Sequence, residues 1–563
     1  MQILDKIKLP EDIKKLSLEE LELLADDLRN VITKHTLANG GHLASNLGVV
    51  DLTCALNYVF DFPKDKLIFD VGHQCYAYKI LTGRLKDFDT LRQKDGLNGF
   101  PKREESVYDT VNSGHASTAL SIACGMARGN VDGNIICLIG DGAMTGGLFF
   151  EALNDVLTLN KKVIFIINDN NMSISGNVGF INEYLKIVRK YGNEFSFLDI
   201  EMLNNVDGHN ISDLIGKLKY AKNAKKTLVL HVVTKKGKGF KEAELDPSKY
   251  HSVGKENSKP TYCQVFGNTM TDLAEKNSNI FAITAAMTDG TGLSDFAKKF
   301  PQRLVDVGIA EGHAVTMSAG LALAGKKPYV AIYSTFLQRA YDNVLHDVCL
   351  NKLPVVFCID RAGFVGGDGE THQGLYDVAY LGATPNMSIF APKDGEELKD
   401  ILTWAQKYDA PLAIRYPKSE ISHDYSIHTP IEYGKWEKII SSDSKVVLIS
   451  NGETLSNVLE SAKVLKTQGI DVDVVNARFI RPYDKEMLDS LKGKMLFFFE
   501  EYIAQNSLYA QALDKFNTDR DKVTEVYGIN IPNKTYSVAT RSQLLKEVGL
   551  DTDSIIQFVK SKL

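Results

Sequence analysis

Short apolar runs alternate with amphipathic stretches along most of the chain. Four runs precede residue 234, and they are rich in Ile and Val without a polar residue at every second position. That pattern is typical of strands buried on both faces of a parallel sheet. Helical spacing separates the runs, as in residues 146–159, so this part of the chain is predicted to form a doubly wound α/β unit. The four predicted strands are residues 67–72, 135–140, 162–168 and 227–233.

The same alternation begins twice more along the chain. We interpret the polar stretch 248–260 as a linker and the polar stretch 418–430 as the end of a second α/β unit. The predicted strands after the first stretch are residues 280–286, 303–311, 328–334, 354–360 and 412–417, and those after the second are residues 444–455, 472–480 and 494–501. We therefore predict an α/β fold of three consecutive doubly wound domains. Their predicted bounds are residues 1–255, 256–428 and 429–563.

Composition narrows the class of protein without identifying it. The chain has 563 residues, of which 44% are apolar and 24% are charged, so a disordered or fibrous chain is excluded. Lys and Arg number 65 against 71 Asp and Glu, which gives a net charge of −6 and makes nucleic acid a poor candidate partner. No apolar run approaches the length of a membrane span, and the N-terminus does not resemble a secretory signal. Seven scattered cysteines without a C-x-x-C motif indicate reduced, buried thiols in a cytoplasmic protein.

Two polar clusters follow predicted strands of the first unit. Gly140-Asp141-Gly142 follows one strand directly, and Asn170 lies in the Asn-Asp-Asn-Asn sequence at the end of the next. The separation of 29 residues, from 141 to 170, fits one strand–helix–strand step, so both clusters are expected at the ligand-binding edge of the sheet. Carboxylate and amide oxygens suit Mg²⁺, and the glycines would allow a diphosphate to approach the backbone. The alternative is that Gly-Asp-Gly is only a turn.

Three histidines precede these clusters, and each follows a glycine. They are His42, His73 and His115, all within 75 residues of chain. A single loop histidine is usually no more than a hydrogen-bonded residue. Three of them in a unit with a candidate diphosphate site indicate a polar pocket, although the simpler interpretation stays open.

These sequences resemble those of a known family. The GDG sequence that contains Asp141, followed by the NDNN sequence that contains Asn170, is similar to the thiamine diphosphate motif of transketolase-like enzymes. The strings GGHLASNLGVVDLT, DVGHQCYAYKILTGR, SGHASTALSIACG and DRAGFVGGDGETHQG resemble the 1-deoxy-D-xylulose-5-phosphate synthases, and the resemblance is dense up to residue 420. It implies a diphosphate-binding, a pyrimidine-binding and a C-terminal transketolase-like domain. It also implies decarboxylation of pyruvate on thiamine diphosphate with Mg²⁺, and condensation with D-glyceraldehyde 3-phosphate, for isoprenoid, thiamine and pyridoxal phosphate synthesis.

The resemblance implies a role for specific residues at the cofactor. Glu311 matches the glutamate that hydrogen-bonds N1′ of the aminopyrimidine and so helps to remove the C2 proton. The implied metal ligands are Asp141, Asn170 and the main-chain oxygen of Met172. His42, His73 and His372 match catalytic histidines, although which of them protonates which oxygen stays open. The implied cofactor-binding residues are His73, Gly114, His115, Ala116, Gly142, Ala143, Asn170, Lys236, Glu311 and Phe336.

The resemblance also implies a substrate-binding set and shows departures from the family. Lys418 stands where the family usually has Arg, and since Lys pairs with a phosphate only as a point charge, weaker acceptor binding is expected. Gly312 and Asn171 replace the usual Gln and Glu, and the connection from Met172 to Lys236 is several tens of residues shorter than usual. The implied substrate-binding residues are His42, Tyr333, Arg339, Arg361, Asp368, His372 and Lys418.

Two other interpretations compete with this one. The first is another enzyme with the same cofactor, such as a transketolase, and the second is an inactive paralogue that only binds thiamine diphosphate. The strings around His42, His73 and Arg361 argue against the first, and the presence of Asp141 and Glu311 argues against the second. The resemblance further implies a homodimer.

Overall fold

Two units make up the structure, a computed structural model that describes residues 3–156, 158–159, 161–172, 176, 178–192, 200–254, 258–421 and 428–563. The first unit contains Met1–Glu256 with the short segments Gly308–Ala310 and Gly367–Thr371. The second unit contains Asn257–Val307, Glu311–Gly366 and His372–Leu563. The predicted domain boundary at residues 255 and 256 lies outside the described residues.

The first unit is built on a five-stranded, fully parallel sheet with strand order β1-β2-β3-β5-β4. The four predicted strands of this unit are confirmed as β1, β2, β3 and β5. The prediction missed β4, because exposed and buried positions alternate along this edge strand and leave no apolar run. The strands are β1 (Lys66–Phe69), β2 (Ile135–Gly140), β3 (Ile164–Asp169), β4 (Glu201–Asp207) and β5 (Leu228–Val233).

Helices cover both faces of this sheet. Ile136 and Leu138 of β2 pack in one hydrophobic cluster, whereas the alternate residues Cys137 and Ile139 pack in another. Neighbouring residues of a strand point to opposite faces, so each face has its own layer of helices and the unit is doubly wound. Its helices are α1 (Pro10–Ile13), α2 (Leu18–Asn39), α3 (Leu43–Gly48), α4 (Val50–Val59), α5 (Tyr76–Lys79), α6 (Ala119–Arg128), α7 (Gly147–Val156), α8 (Gly179–Tyr191), α9 (Ile211–Asn223) and α10 (Lys241–Leu245).

The second unit contains two sheets. The larger has seven strands in the order β15-β10-β11-β9-β8-β6-β7, and only the β10–β15 pair is antiparallel. Its strands are β6 (Ile280–Thr284), β7 (Leu304–Asp306), β8 (Lys327–Tyr333), β9 (Val356–Asp360), β10 (Ser388–Phe390), β11 (Leu412–Arg415) and β15 (Phe479–Arg481). All five strands predicted between the two polar stretches are present. β10 was missed because three residues are too few to form a pattern.

The smaller sheet has the order β12-β14-β13-β16-β17, with β12 antiparallel to β14. Its strands are β12 (Glu437–Ile440), β13 (Val446–Ser450), β14 (Asp473–Asn476), β16 (Met495–Ile503) and β17 (Glu525–Ile531). Val447 and Ile449 of β13 share a hydrophobic cluster with the larger sheet. The two sheets of this unit therefore have one continuous core.

Between β6 and β17 the helices of the second unit lie between successive strands, as expected for βαβ steps, whereas α11 precedes β6 and α21 and α22 follow β17. They are α11 (Tyr262–Lys276), α12 (Ser294–Lys299), α13 (Glu311–Leu323), α14 (Ser334–Leu337), α15 (Tyr341–Asn343), α16 (Asp377–Gly382), α17 (Gly395–Trp404), α18 (Thr454–Thr467), α19 (Lys485–Ser490), α20 (Leu508–Thr518), α21 (Arg541–Glu547) and α22 (Thr552–Lys560).

The stretch 248–260, interpreted from the sequence as a linker, contains the division between the two units, but its described first part is packed against the first unit. The N–H of Gly41 donates to the Val253 carbonyl at 2.9 Å, and the N–H of Val253 returns a bond to the Gly41 carbonyl at 2.7 Å. The N–H of Ala44 donates to the carbonyl of Tyr250. Paired backbone groups of this kind hold residues 250–253 against the first unit, although the stretch is polar in sequence.

Candidate active site

The predicted metal ligands lie together at the carboxyl ends of β2 and β3. These strands are parallel neighbours, and Asp141 follows β2 while Asn170 follows β3. Asp141 Oδ2 accepts hydrogen bonds from the backbone N–H groups of Asn170 at 3.1 Å and Met172 at 3.2 Å. Asn170 Oδ1 accepts from the Met172 N–H at 3.2 Å. The sheet thus brings the three residues into one hydrogen-bonded turn, as their spacing predicted.

Burial sets the electrostatics of this turn. The carboxyl of Asp141 is 1% exposed, and burial together with the neighbouring carboxylate of Asp169 raises its pKa. Asp169 has its own partners, because it lies 2.8 Å from His231 Nε2 and 3.0 Å from Arg189 Nη1. A cation bound at Asp141 would relieve the repulsion between the two carboxylates, so the donor set fits a divalent ion.

The predicted metal ligands do not form a cluster of His, Cys, Asp or Glu side chains, which is the pattern by which many metal sites are recognised. In the described ranges of the chain, no group of three or more His, Cys, Asp or Glu side chains could hold a metal ion. The predicted set has one carboxylate, one amide and one main-chain oxygen. Mg²⁺ is commonly bound by one or two protein carboxylates, with phosphate oxygens and water completing its octahedron.

Lys236 is buried close to this turn. Its side chain is desolvated, which lowers the pKa of the ammonium to about 8, while the charge of Asp141 partly opposes that shift. A buried ammonium with a lowered pKa gains stability from a phosphate. Although Lys236 lies in a basic run of the sequence, it is therefore not a solvated surface charge.

A group of three imidazoles lies in the first unit, and sequence reasoning found only two of them. The ring centroids of His42 and His73 are 5.4 Å apart, and His251 lies 5.5 Å and 5.3 Å from them. Desolvation and the nearby Lys236 hold the pKa of His251 well below its ordinary value, so this imidazole is neutral at pH 7. His251 was missed because a single histidine in a polar stretch carries no pattern. The apolar residues Tyr250 and Val253 near it were the available sequence signal that this stretch packs against the first unit.

The loop that carries His115 is held by a second unpredicted residue. Asp70 is 1% exposed and accepts from the N–H of Ser117 at 2.7 Å and of Ala119 at 3.0 Å. Ser117 Oγ donates to the Ala143 carbonyl at 2.7 Å. Gly114, Ala116, Gly142 and Ala143, which the resemblance assigned to the cofactor, therefore belong to two loops joined by a direct hydrogen bond.

Asp368 groups with the first unit, as His42 does, and not with the predicted substrate residues of the second unit. Its carboxylate pairs with the Arg92 guanidinium at 2.8 Å. Two residues further on, Glu370 pairs with Lys102 at 2.9 Å, and the Thr371 carbonyl lies 2.9 Å from His115 Nε2. The segment Gly367–Thr371 is thereby tied to the loops of the first unit at three points.

Glu311 is the first residue of α13 and is 4% exposed. Burial raises the pKa of its carboxyl, and the Arg339 guanidinium, with Nη1 4.0 Å from Oε2, partly opposes the shift. Glu311 follows the short strand β7 after a loop, and α13 rather than the strand fixes its position. Gly312 comes next, and a Cβ there would lie 3.1 Å from Asn343 Oδ1.

Aromatic rings connect three predicted residues of the second unit. Tyr333 and Phe336 are stacked with centroids 5.4 Å apart and planes 12° from parallel, and His372 meets Phe336 edge-on at 5.5 Å. The Arg361 guanidinium carbon lies 4.0 Å from the centre of the Tyr333 ring. Phe336 therefore packs against residues of the predicted site.

Arg361 is held by neighbours that the sequence did not reveal. Its Nη1 donates to the Gly290 carbonyl at 2.8 Å, to Cys263 Sγ at 3.0 Å and to the Asp360 carboxylate. Lys418 is exposed, and its charge acts on the same Cys263 thiol. Asp360 was detectable as the acidic last residue of β9, whereas Cys263 had no signal. The other six cysteines are buried, and all seven are free thiols, as predicted.

Comparisons with known proteins show which families the chain is similar to. The family description 1-deoxy-D-xylulose-5-phosphate synthase matches residues 4–193. The pyrimidine-binding domain of transketolase matches residues 258–423, and the transketolase C-terminal domain matches residues 434–555. A solved transketolase structure from Campylobacter jejuni is 20% identical, covers 97% of this chain and 100% of its own, and has a TM-score of 0.48.

Curated relatives match the chain from end to end. The 1-deoxy-D-xylulose-5-phosphate synthase of Clostridium tetani is 43% identical over 612 aligned positions, which cover 99% of each chain. That of Clostridium acetobutylicum is 48% identical over 544 positions, covering 86% of this chain and 87% of the relative. Because this chain has 563 residues, at least 49 positions of the 612-position alignment (612 less 563) have no counterpart in it. The chain is shorter than that relative, as expected.

The fold and these matches define a transketolase-like α/β protein of the thiamine diphosphate enzyme class. Within that class, the chain belongs to the 1-deoxy-D-xylulose-5-phosphate synthase family. The predicted family and fold class are thus confirmed. None of the helices in the described part of the chain has the length and apolar character needed to span a bilayer.

Proposed function

We propose that this chain catalyses the decarboxylative condensation of pyruvate with D-glyceraldehyde 3-phosphate to 1-deoxy-D-xylulose 5-phosphate and CO₂. The observation that carries the proposal is the 43% identity to a synthase of that product over 99% of both chains. The match of residues 4–193 to the synthase family rather than to transketolase argues against a ketol transferase. In this role the enzyme opens a route to isoprenoid precursors and also feeds thiamine and pyridoxal phosphate synthesis.

Thiamine diphosphate supplies the nucleophilic carbon of this reaction when it is bound. We assign its Mg²⁺ to Asp141, Asn170 and the Met172 main-chain oxygen, and its diphosphate to the two loops at Gly114–Ala116 and Gly142–Ala143. The raised pKa of Asp141 supports the assignment, because a buried carboxyl that repels its neighbour is stabilised as an anion by a cation. Lys236 contributes a buried positive charge to the same phosphates.

Glu311 holds a proton that it shares with N1′ of the aminopyrimidine. Its burial and raised pKa support this role, since a raised pKa favours the protonated carboxyl, which can donate to a ring nitrogen. Phe336 packs against the same ring system. The imidazoles of His42, His73 and His115 exchange protons with the reacting oxygens, and His251 extends that group.

The phosphate of the acceptor binds the guanidinium of Arg361 and the ammonium of Lys418. Tyr333, Arg339 and His372 orient the donor and acceptor in the second unit, and Asp368 contacts an acceptor hydroxyl. The ring contacts among Tyr333, Phe336, His372 and Arg361 support this grouping.

Three further assignments follow from family membership. The domains are residues 1–255, which bind the diphosphate, residues 256–428, which bind the pyrimidine, and the C-terminal residues 429–563. Three consecutive family matches support this division. We also propose a homodimer in the cytoplasm.

Decarboxylation of labelled pyruvate by the purified chain, with and without D-glyceraldehyde 3-phosphate, tests the function. We expect CO₂ release that depends on acceptor and on both thiamine diphosphate and Mg²⁺. Turnover of a ketose donor in place of pyruvate would instead identify a transketolase. Cofactor binding without either reaction would identify an inactive paralogue.

The metal assignment is tested by calorimetric titration of thiamine diphosphate in the presence of Mg²⁺. Asp141→Ala should abolish detectable binding, because its oxygens both bind the ion and organise the turn at Asn170 and Met172. Asp155→Ala is the matched control, since Asp155 forms an exposed ion pair with Arg128 elsewhere in the same unit. Equal affinity in the two variants would contradict the assignment.

A further inference from the structure

An ion-pair cluster in the C-terminal part of the second unit lies outside every residue assigned above. Arg541, the first residue of α21, donates from Nε to Glu501 Oε1 at 3.2 Å and from Nη2 to Glu501 Oε2. Its Nη1 lies 3.2 Å from Glu453 Oε2. The Glu501 and Glu453 side chains are 7% and 11% exposed, so two nearly buried carboxylates share one guanidinium.

Glu501 extends this cluster to the loop that carries Arg361. Its Oε1 accepts from the Phe364 N–H at 2.9 Å. Gly363 has a φ of +81°, and a Cβ there would lie 2.7 Å from the same oxygen, so the carboxylate and the loop backbone fit together without spare room. The Phe364 ring meets the Tyr536 ring edge-on at 5.1 Å. The chain is thereby fixed two and three residues after Arg361.

Glu453 extends the cluster to a second loop. Ser419 Oγ donates to Glu453 Oε2 at 2.6 Å, and Ser419 directly follows Lys418. Glu453 precedes α18, and Thr454, the first residue of that helix, donates from Oγ1 to Glu501 at 3.4 Å. One guanidinium therefore joins, through two carboxylates, the loop of Arg361 and the loop of Lys418.

We propose that Glu453, Glu501 and Arg541 are positioning residues that set the separation of Arg361 and Lys418. The inference rests on the proposed function, in which these two cations bind the acceptor phosphate. Arg361 is held on its own side by Asp360 and Gly290, whereas Lys418 is an exposed side chain whose chain neighbour Ser419 is hydrogen-bonded to Glu453. Because a lysine pairs with phosphate as a point charge, its contribution depends on where its loop is anchored.

The cluster gives the C-terminal region a part in acceptor recognition. That region holds none of the residues predicted to contact substrate or cofactor. It acts through hydrogen bonds to a backbone N–H and to a serine hydroxyl, and neither group is itself at the phosphate. A small displacement of either loop changes how well Arg361 and Lys418 together bind the acceptor phosphate. It does not disturb the binding or decarboxylation of pyruvate.

Steady-state kinetics of Ser419→Ala, Glu501→Gln and Arg541→Met, with pyruvate and acceptor varied separately, test the proposal. For D-glyceraldehyde 3-phosphate we expect KM to rise about 3-fold in Ser419→Ala and at least about 10-fold in Arg541→Met. KM for pyruvate should stay within about 2-fold of wild type. Lys463→Met is the control, because Lys463 forms an exposed ion pair with Glu460 in the same region.

Phosphate-free D-glyceraldehyde separates positioning from general damage. With this acceptor the variants should match wild type, because there is no phosphate for the two cations to hold. Ser419→Ala removes only one hydroxyl, so it keeps the test valid if Arg541→Met does not fold. A rise in KM for both acceptors, or no rise for either in Ser419→Ala and Glu501→Gln, would overturn the proposal.

Arg361→Met shows which hypothesis has failed. If wild type does not prefer the phosphorylated acceptor, or if Arg361→Met keeps that preference, the proposed phosphate site is wrong. If Arg361→Met loses the preference while Glu501→Gln and Ser419→Ala keep it, the site is correct and the positioning role is wrong.

Discussion

Glu311 begins α13 with a carboxyl that is 4% exposed and whose pKa is raised by that burial. Glu311→Ala should lower turnover by at least about 10²-fold, the usual effect of losing assistance to a proton transfer. Steady-state turnover at saturating pyruvate and acceptor measures this effect. The control is Glu22→Ala, an exposed glutamate on α2. Near-wild-type turnover in Glu311→Ala would contradict the assignment of Glu311 to proton transfer at the aminopyrimidine.

The same carboxyl should lower stability at neutral pH. Its folded pKa lies above the ordinary 4.5, so its favourable contribution is complete below about pH 4.5 and is lost as pH rises through the raised value. Glu311→Gln keeps the volume but cannot ionise. The unfolding free energy of Glu311→Gln minus that of wild type should therefore increase between pH 5 and pH 7.5. The increase is about 1.4 kcal/mol for each pH unit by which folding raises the pKa of Glu311.

Urea denaturation at the two pH values measures that difference. Glu22→Gln is the control, because Glu22 is exposed on α2 and lies outside the candidate site. If the difference in unfolding free energy between Glu311→Gln and wild type is the same at both pH values, Glu311 is ionised in the folded protein throughout this range and the prediction is wrong.

Helix α8 illustrates how one element supports the turn after β3. Arg189, near its C-terminal end, lies 3.0 Å from Asp169 Oδ1 and donates to Asn171 Oδ1 at 3.0 Å. Asn171 has a φ of +63°, a conformation that Asn adopts more readily than the Glu usual in the family. The guanidinium thus holds both residues that precede and follow Asn170.

Arg189→Met should weaken Mg²⁺ binding by about 10- to 100-fold, the usual cost of losing a group that orients metal ligands. Mn²⁺ substituted for Mg²⁺ gives a direct signal in electron paramagnetic resonance, so the affinity can be measured without turnover. Lys186→Met is the matched control, since Lys186 pairs only with exposed Glu183 among its described contacts on the same helix. Equal Mn²⁺ affinity in both variants would contradict the supporting role.

The contrast between β3 and β4 shows how far the elements could be predicted. β3 is apolar at nearly every position because both of its faces are covered, and such a run is visible in one sequence. β4 forms the sheet edge, so its polar positions hide it. Asp141 and Asn170 were predictable because a βα step has a fixed length. His251 and Glu501 were not, because long-range packing alone brings them to their partners.

β15 marks the limit of prediction for the whole molecule. Its apolar sequence was assigned to the third predicted domain, whereas the strand pairs antiparallel with β10 at the edge of the larger sheet. The Lys393 ammonium and Glu437 carboxylate, both fully buried, also pair at 2.6 Å across the predicted boundary at residue 428. The hydrophobic cluster of the larger sheet continues into β13 and β16. Residues on both sides of position 428 thus share one core.

A fragment of residues 258–428 should therefore fail to fold, whereas residues 258–563 should fold. The shorter fragment loses β15, the partner of Lys393 and the apolar side chains that cover one end of its core. Leaving a buried charge unpaired typically costs about 3–5 kcal/mol, and the exposed core adds to that loss. A family match over residues 258–423 describes sequence similarity and does not require independent stability.

Circular dichroism, urea denaturation and binding of a hydrophobic dye distinguish the two fragments. Residues 258–563 should show one cooperative transition and little dye binding. Residues 258–428 should show a shallow transition, strong dye binding and rapid proteolysis. Lys393→Met in the longer fragment tests the contribution of the ion pair that crosses residue 428. It leaves the Glu437 carboxylate buried without its ammonium partner and should lower the unfolding free energy. A cooperative transition in the shorter fragment would mean that the sequence boundary at residue 428 is also a folding boundary.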